Sequence, residues 1–426
     1  MTPPSPRPDR SSEHRTPVTL PPGTVSGLDA MAELPADAGV IAWRVLRTLL
    51  LWAAEDPERR TALLDDAVML EWEEKLLTQG FDPDLRMPLA VIVGELARGD
   101  QAAAGRISWS CLCAADWALA RNAPRTAMAF AEAAALVSPD QPRYAWVAGR
   151  MLRTYGRFKE SSQWLRRAIG AAARTGDWEA QARSLNGLGN TSLHRGDLRD
   201  AARLLQVALR VARRRRMRQA EAENLHDLFV VHFEMNDWAQ AEEHARAAFE
   251  LYQQLRHHRL PMLVHDVAFL WINRGHFSRA LDALRAVRPL MVSNEERLRI
   301  LSSAIRAAGA VGERDFFGEM WAECWPLAMD LGNERRYAAT ALLQMGLGAS
   351  SLGQWDRARE ALDMAHEMAR LRGETNVVHH IEVALAAVNA ERAAEPVPST
   401  PTGRNSPGDV LASRMVSSLS AGAPRH

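Results

Sequence analysis

A turn residue recurs seven times along this chain, at Asn122, Gly156, Gly196, Asn236, Gly275, Gly312 and Gly353, spaced by 34, 40, 40, 39, 37 and 41 residues. The clearest copy is LNGLGNTSLHRGDLRDAARLLQVALR, Leu185 to Arg210. It reads as helix, yet it holds Gly187, Gly189 and Gly196, and a helical glycine costs about 0.8–1.0 kcal/mol relative to alanine. Two of the three follow from a helix hairpin. Gly189 lies on the apolar face where a larger side chain would push the two helices apart, and Gly196 supplies a left-handed turn. Gly187 has no such assignment.

The same skeleton repeats along the chain. It has Ala115, Ala118, Ala127, Ala131 and Ala134; then Gly149, Leu152, Ser161, Leu165 and Ala168; then Leu225, Leu228, Ala241, Ala245 and Ala248. Further copies hold Ala268, Trp271, Ala280 and Leu284; Ile305, Ala308, Phe317 and Trp321; and Gly346, Ala349, Ala358, Leu362 and Ala365. This pattern resembles the tetratricopeptide repeat over residues 108–372. The resemblance implies an all-α fold, an α-α superhelical solenoid of about seven hairpins, each burying its apolar face only by stacking on its neighbours. A helix within 374–393 would cap the array.

The flanks read differently. Residues 38–100 carry Val40, Trp43, Leu46 and Leu50, then Leu63, Val68, Trp72 and Leu76, at helical spacing. Three helices forming a small N-terminal bundle are expected there. Pro57, Pro83 and Pro88 are placed at helix starts or in loops, and Trp43, Trp52 and Trp72 in the core. Residues 1–37 and 395–426 are rich in Pro, Ser, Gly and Arg without apolar periodicity and are expected to be disordered.

Formal net charge is zero, so global charge draws the chain neither to nucleic acid nor to an anionic membrane. Lys75 and Lys159 are the only lysines among 52 basic residues. That bias, with abundant alanine, points to GC-rich bacterial coding and discounts single arginines as recognition signals. The apolar run from Val40 is too short to span a bilayer and contains Arg44 and Arg47. With no signal peptide and three cysteines, the expected setting is the cytoplasm.

No catalytic constellation, cofactor motif or metal-ligand spacing stands out, so a non-enzymatic protein without cofactor or metal is expected. Cys111 and Cys113 fall on a first helix, where one of the two faces the packed side, and His257, His258, His379 and His380 read as surface histidines. The run Arg213–Arg216 ends a second helix, where cations offset the helix dipole; a binding site for an acidic partner is the alternative, and nucleic acid is disfavoured because no aromatic residues are interleaved with it.

The repeat resemblance implies that the first helix of each hairpin lines a concave groove. Carried onto this sequence, that groove receives Arg143, Trp146 and Arg150 from the second repeat and Arg183, Asn186 and Asn190 from the third. His226, His265, Phe269 and Asn273 follow from the next two, and Arg299 and Arg306 from the sixth. An asparagine placed like Asn190 holds peptide backbone in many family members, and the arginines could pair with carboxylates. The expected partner is therefore a protein or peptide, with no membrane or nucleic acid, and the expected role is an adaptor or regulator. Two alternatives stand beside it. The layout of a helical bundle before seven repeats resembles Rap-type regulators, which sense small signalling peptides and bind response regulators. The tryptophan-bearing N-terminal helices could instead join a homodimer or a larger assembly.

Overall fold

The computed structural model describes residues 31–56, 59–60, 64–78, 80–98, 103–331, 337–371, 374–394 and 407–422. Among these residues there is no strand, and no helix is long and apolar enough to cross a membrane. The chain divides into two compact units, residues 1–220 and 221–426.

The first unit opens with α1 (Ala36–Ala54), α2 (Asp66–Thr78) and α3 (Pro83–Arg98). Three hairpins follow: α4 (Ala103–Ala120) with α5 (Pro124–Val137), α6 (Pro142–Thr154) with α7 (Phe158–Thr175), and α8 (Trp178–His194) with α9 (Leu198–Arg214). In the second unit α10 (Arg218–Glu234), which begins just before the division, is followed by α11 (Trp238–Leu255). After them come α12 (Leu260–Asn273) with α13 (Phe277–Val287), and α14 (Asn294–Val311) with α15 (Arg314–Leu331). The series ends with α16 (Ala338–Ser351), α17 (Trp355–Leu371), α18 (Thr375–Asn389) and α19 (Pro407–Gly422). These are the hairpins of an α-α solenoid, seven in number, and α18 packs on the last of them.

Every hairpin turns on a left-handed residue. The φ angles run 57, 76, 80, 58, 76, 88 and 67° at Asn122, Gly156, Gly196, Asn236, Gly275, Gly312 and Gly353. These are the seven recurring residues of the sequence, and glycine and asparagine adopt this conformation at least cost. The crossing glycines are equally tight. A Cβ on Gly189 would lie 2.8 Å from Leu205 Cγ, and one on Gly346 would lie 2.6 Å from Leu362 Cγ. Gly187, which the repeat pattern left over, faces the preceding hairpin instead: its Cβ would stand 3.0 Å from Leu165 Cδ2. It makes room between repeats, whereas Gly189 makes room within one.

The N-terminal helices bury Ala42, Val45, Leu49, Trp52, Leu76, Leu89 and Val93 in a core continuous with α4 and α5, and Trp43 and Trp72 pack against it. Pro88 departs from the sequence reading, since it lies inside α3. At the sixth residue of the helix it forfeits one hydrogen bond, that to the Asp84 carbonyl, because the ladder has already begun with Arg86 N–H donating to the Asp82 carbonyl at 2.9 Å. Of the tail expected to be disordered, residues 1–30 lie outside the described residues, while Met31 and Leu34 are buried and α1 begins at Ala36.

The expectation of disorder over 395–426 does not hold for 407–422. Helix α19 packs on α13 and α11, with Leu411, Ala412, Met415 and Leu419 buried along one face. Arg414 reaches Glu250 at 3.3 Å and lies over the Phe249 ring. A Leu411→Asp/Met415→Asp variant should detach this helix. The expected cost is about 2–4 kcal/mol of second-unit stability from lost apolar burial. Hydrogen exchange over 407–422 and α13 should accelerate, whereas Val410→Asp, at an exposed position, should leave both unchanged.

Candidate partner-binding site

In the first unit, two first helices carry the candidate residues. Pro142 opens α6 at a position where its missing N–H costs nothing, and the Asp177 side chain caps α8 by accepting from the Ala180 N–H at 2.9 Å. The helices pack side by side. Trp146 of α6, half-buried, has the Arg150 guanidinium 5.2 Å and the Arg183 guanidinium 5.6 Å from its ring centre. Arg143 lies 4.8 Å over Tyr144 and 5.6 Å over Trp109, whose side chain is 58 % exposed. Arg183 also pairs with Glu179 at 2.7 Å.

One and two turns further along α8, Asn190 Nδ2 donates to Asn186 Oδ1 at 3.1 Å. Asn190 is nearly buried and Asn186 half-buried. The structure therefore brings all six first-unit candidates onto two neighbouring helices. The three arginines stay exposed and engaged with aromatic faces, an arrangement able to meet a carboxylate and an apolar side chain together.

The second-unit candidates also meet, but inwardly. His226 of α10 and His265 of α12 share the carboxylate of Asp266: His226 Nε2 lies 3.0 Å from Oδ2, and His265 Nδ1 lies 2.9 Å from Oδ1. A carboxylate only accepts, so both nitrogens carry hydrogen. The other ring nitrogens face hydroxyls, Tyr252 OH at 3.4 Å and Ser303 Oγ at 3.2 Å. Burial alone would raise the Asp266 pKa, but the two histidine hydrogen bonds outweigh it and hold the carboxylate well below its ordinary range.

The Ser303–His265–Asp266 order is that of a hydrolytic relay, yet Ser303 is 3 % exposed and sits mid-helix in α14. A nucleophile there cannot reach a substrate, so the network ties successive repeats together. Phe269 is half-buried against His265 and Phe233. Arg306, expected in the groove, is 4 % exposed and donates to Gln344 Oε1 at 2.7 Å, with Asn273 Oδ1 at 3.4 Å.

The groove placement of His226, His265 and Arg306 is thus corrected: all three are buried and spend their polar groups on neighbouring helices. Asp266 escaped the sequence reading. The available signal was His226 and His265 recurring in register, with an acid next to one of them. His257 is likewise no surface histidine, for it is buried and stacked on Tyr252 with ring centres 4.5 Å apart. Cys111 is buried, as its packing reading requires.

Residues 181–215 match the sequence profile of the tetratricopeptide repeat. No curated protein matches the chain. Among solved structures, a STAND-type signal-transduction ATPase with a tetratricopeptide repeat sensor, from Pyrococcus horikoshii, shares 11 % identity over 81 % of this chain and 58 % of that one, with a TM-score of 0.51. A Rap protein complexed with competence and sporulation factor gives 11 % identity, 78 % and 99 % coverage and a TM-score of 0.47. The apo quorum sensor NprR from B. thuringiensis gives 12 %, 88 % and 99 %, and 0.46.

Proposed function

We propose that this chain, a tetratricopeptide-repeat protein in fold, is a non-enzymatic interaction protein that binds a peptide or a segment of a partner protein on the α6 and α8 faces of its first unit. The observation that carries this reading is Trp146 held beneath Arg150 and Arg183 on adjacent first helices, with Asn186 and Asn190 on the same helix as Arg183. Such a surface offers a rigid aromatic anchor and planar cations with little left to order on binding. The buried histidines of the second unit are assigned to repeat stacking and drop out of the binding set, and Phe269, half-buried beside them, packs against His265 and Phe233. An adaptor or regulator in a bacterial cytoplasm is the setting that fits.

The test compares the intact protein with an Arg150→Glu/Arg183→Glu variant as bait in lysate from the native cell. Both positions are exposed, so helicity and melting should match wild type. A partner retained by the wild type and lost by the variant supports the reading. Partners retained equally by both overturn it. A second reading has the peptide signal bind this face while the N-terminal helices meet an effector protein. It is favoured by Val68, Leu70 and Leu77 of α2 and Met87 of α3, which are exposed apolar side chains close together in sequence.

A further inference from the structure

The turn joining α9 to α10 holds an unbalanced concentration of positive charge. Arg210, Arg214, Arg215 and Arg216 are all exposed, and among the described residues none of the four forms an ion pair. Other exposed arginines of the same unit do pair, as Arg203 with Asp200, Arg174 with Asp140 and Arg195 with Asp197. The end of a helix carries a partial charge of roughly −0.5, so one arginine suffices to offset it. The excess is about three charges in a chain that is neutral overall.

Backbone geometry sets where the last of the four sits. Arg216 has φ 56°, a left-handed conformation that costs a non-glycine residue about 1–2 kcal/mol. At the corresponding turn one repeat earlier the chain uses Gly176, with φ 70°. One repeat later Arg256 takes the same left-handed conformation, with φ 47°, so the turn tolerates arginine; Arg216 adds its charge there to those of Arg210, Arg214 and Arg215.

The geometry points to a docking surface for a short carboxylate-rich segment of a partner protein. Arg210 and Arg214 are one turn apart on one face of α9, and Arg215 and Arg216 extend that face into the turn, so the patch spans two or three carboxylates. A single-stranded nucleic acid would need free aromatic faces on which bases can stack. The exposed aromatic at this turn, Trp178, is already covered by Arg215 at 3.9 Å from its ring centre. A duplex would need a longer basic stripe. The patch does not depend on the α6 and α8 face described above.

The probe is a fluorescently labelled hexaglutamate peptide, followed by anisotropy with full-length protein at low and physiological salt. Wild type should bind it, more weakly as salt rises. Arg214→Glu/Arg215→Glu/Arg216→Glu should weaken binding at least tenfold, and Arg370→Glu/Arg392→Glu, at exposed positions of the second unit outside both proposed surfaces, should leave it within twofold. Arg216→Gly guards against a folding artefact: it should weaken binding by a smaller factor while raising the melting temperature. Equal binding by wild type and the triple variant would overturn the proposal. So would an oligothymidylate of matched charge that binds more tightly through the same arginines, since the surface would then belong to nucleic acid.

Discussion

Gly309→Ala is expected to lower the unfolding midpoint of the second unit by about 10 °C, an unusually large effect for a single methyl group. Gly309 on α14 and Gly348 on α16 meet backbone to backbone where the first helices of the last two hairpins cross. A Cβ on Gly309 would stand 2.2 Å from the Gly348 carbonyl oxygen and 2.8 Å from its Cα; one on Gly348 would stand 2.5 Å from the Ile305 carbonyl oxygen. Flexible side chains can yield at such distances, but helical backbone cannot, so the helices must separate. Separation unpacks the apolar layer around Ile305, Leu342 and Met345, all buried. Overpacking against backbone is put at about 3–5 kcal/mol, above the ordinary range for core insertions. At about 2–4 °C per kcal/mol for a unit of this size, that gives the expected shift. Gly318 on α15 provides the control of opposite sign. An added Cβ there meets nothing within 4 Å, so Gly318→Ala should gain about 0.5–1 kcal/mol from helix propensity alone. Thermal melts of the two variants should move in opposite directions. A Gly309→Ala protein that melts with wild type would mean that the crossing is looser than described.

That pair of glycines also marks where the sequence stops being legible. The turns could be read because left-handed geometry restricts them to glycine and asparagine, and Gly189 because it faces its own hairpin at a fixed spacing from the turn. Gly187, Gly309 and Gly348 face neighbouring repeats, whose register varies with spacings of 34 to 41 residues, and no local pattern announces them. The histidines failed for a related reason. Their position on the first helix was read correctly, but whether such a residue looks outward or spends itself on the next helix depends on what that helix offers. At His226 and His265 it offered Asp266 and Ser303; at Trp146 the polar group it offered was Arg183, and the ring, packed against the Leu185 and Leu188 cluster on one side, stays half-exposed. Helix α19 was hidden because the prolines and serines of 395–406 dominate the composition of the tail, while its four buried residues need a partner surface to reveal them as a stripe.

The second large effect concerns a carboxylate with no role in binding. Glu132 lies on α5, a helix buried on every side from Thr126 to Val137, and is itself 2 % exposed. The Trp164 indole donates to its Oε1 at 2.8 Å, while Oε2 has no hydrogen-bond partner among the described residues. Burial pushes its pKa up to about 7, against the lowering effect of that hydrogen bond and of Arg157 and Arg167. The folded protein therefore holds this proton more tightly than the unfolded chain, whose glutamates titrate near 4.5. Below pH 4.5 both states are protonated and the group costs nothing. As pH rises from 4.5 to 7 the unfolded state is ionised first, and stability falls; above 7 the loss is complete, at roughly 1.4 kcal/mol per pKa unit. Glu132→Gln, which keeps an acceptor for Trp164 and cannot ionise, should match wild type near pH 4 and exceed it by about 3 kcal/mol at pH 8. Urea unfolding at both pH values reads this directly. A stability difference that does not change with pH would mean that the carboxylate reaches water, and that α5 is less enclosed than its neighbours imply.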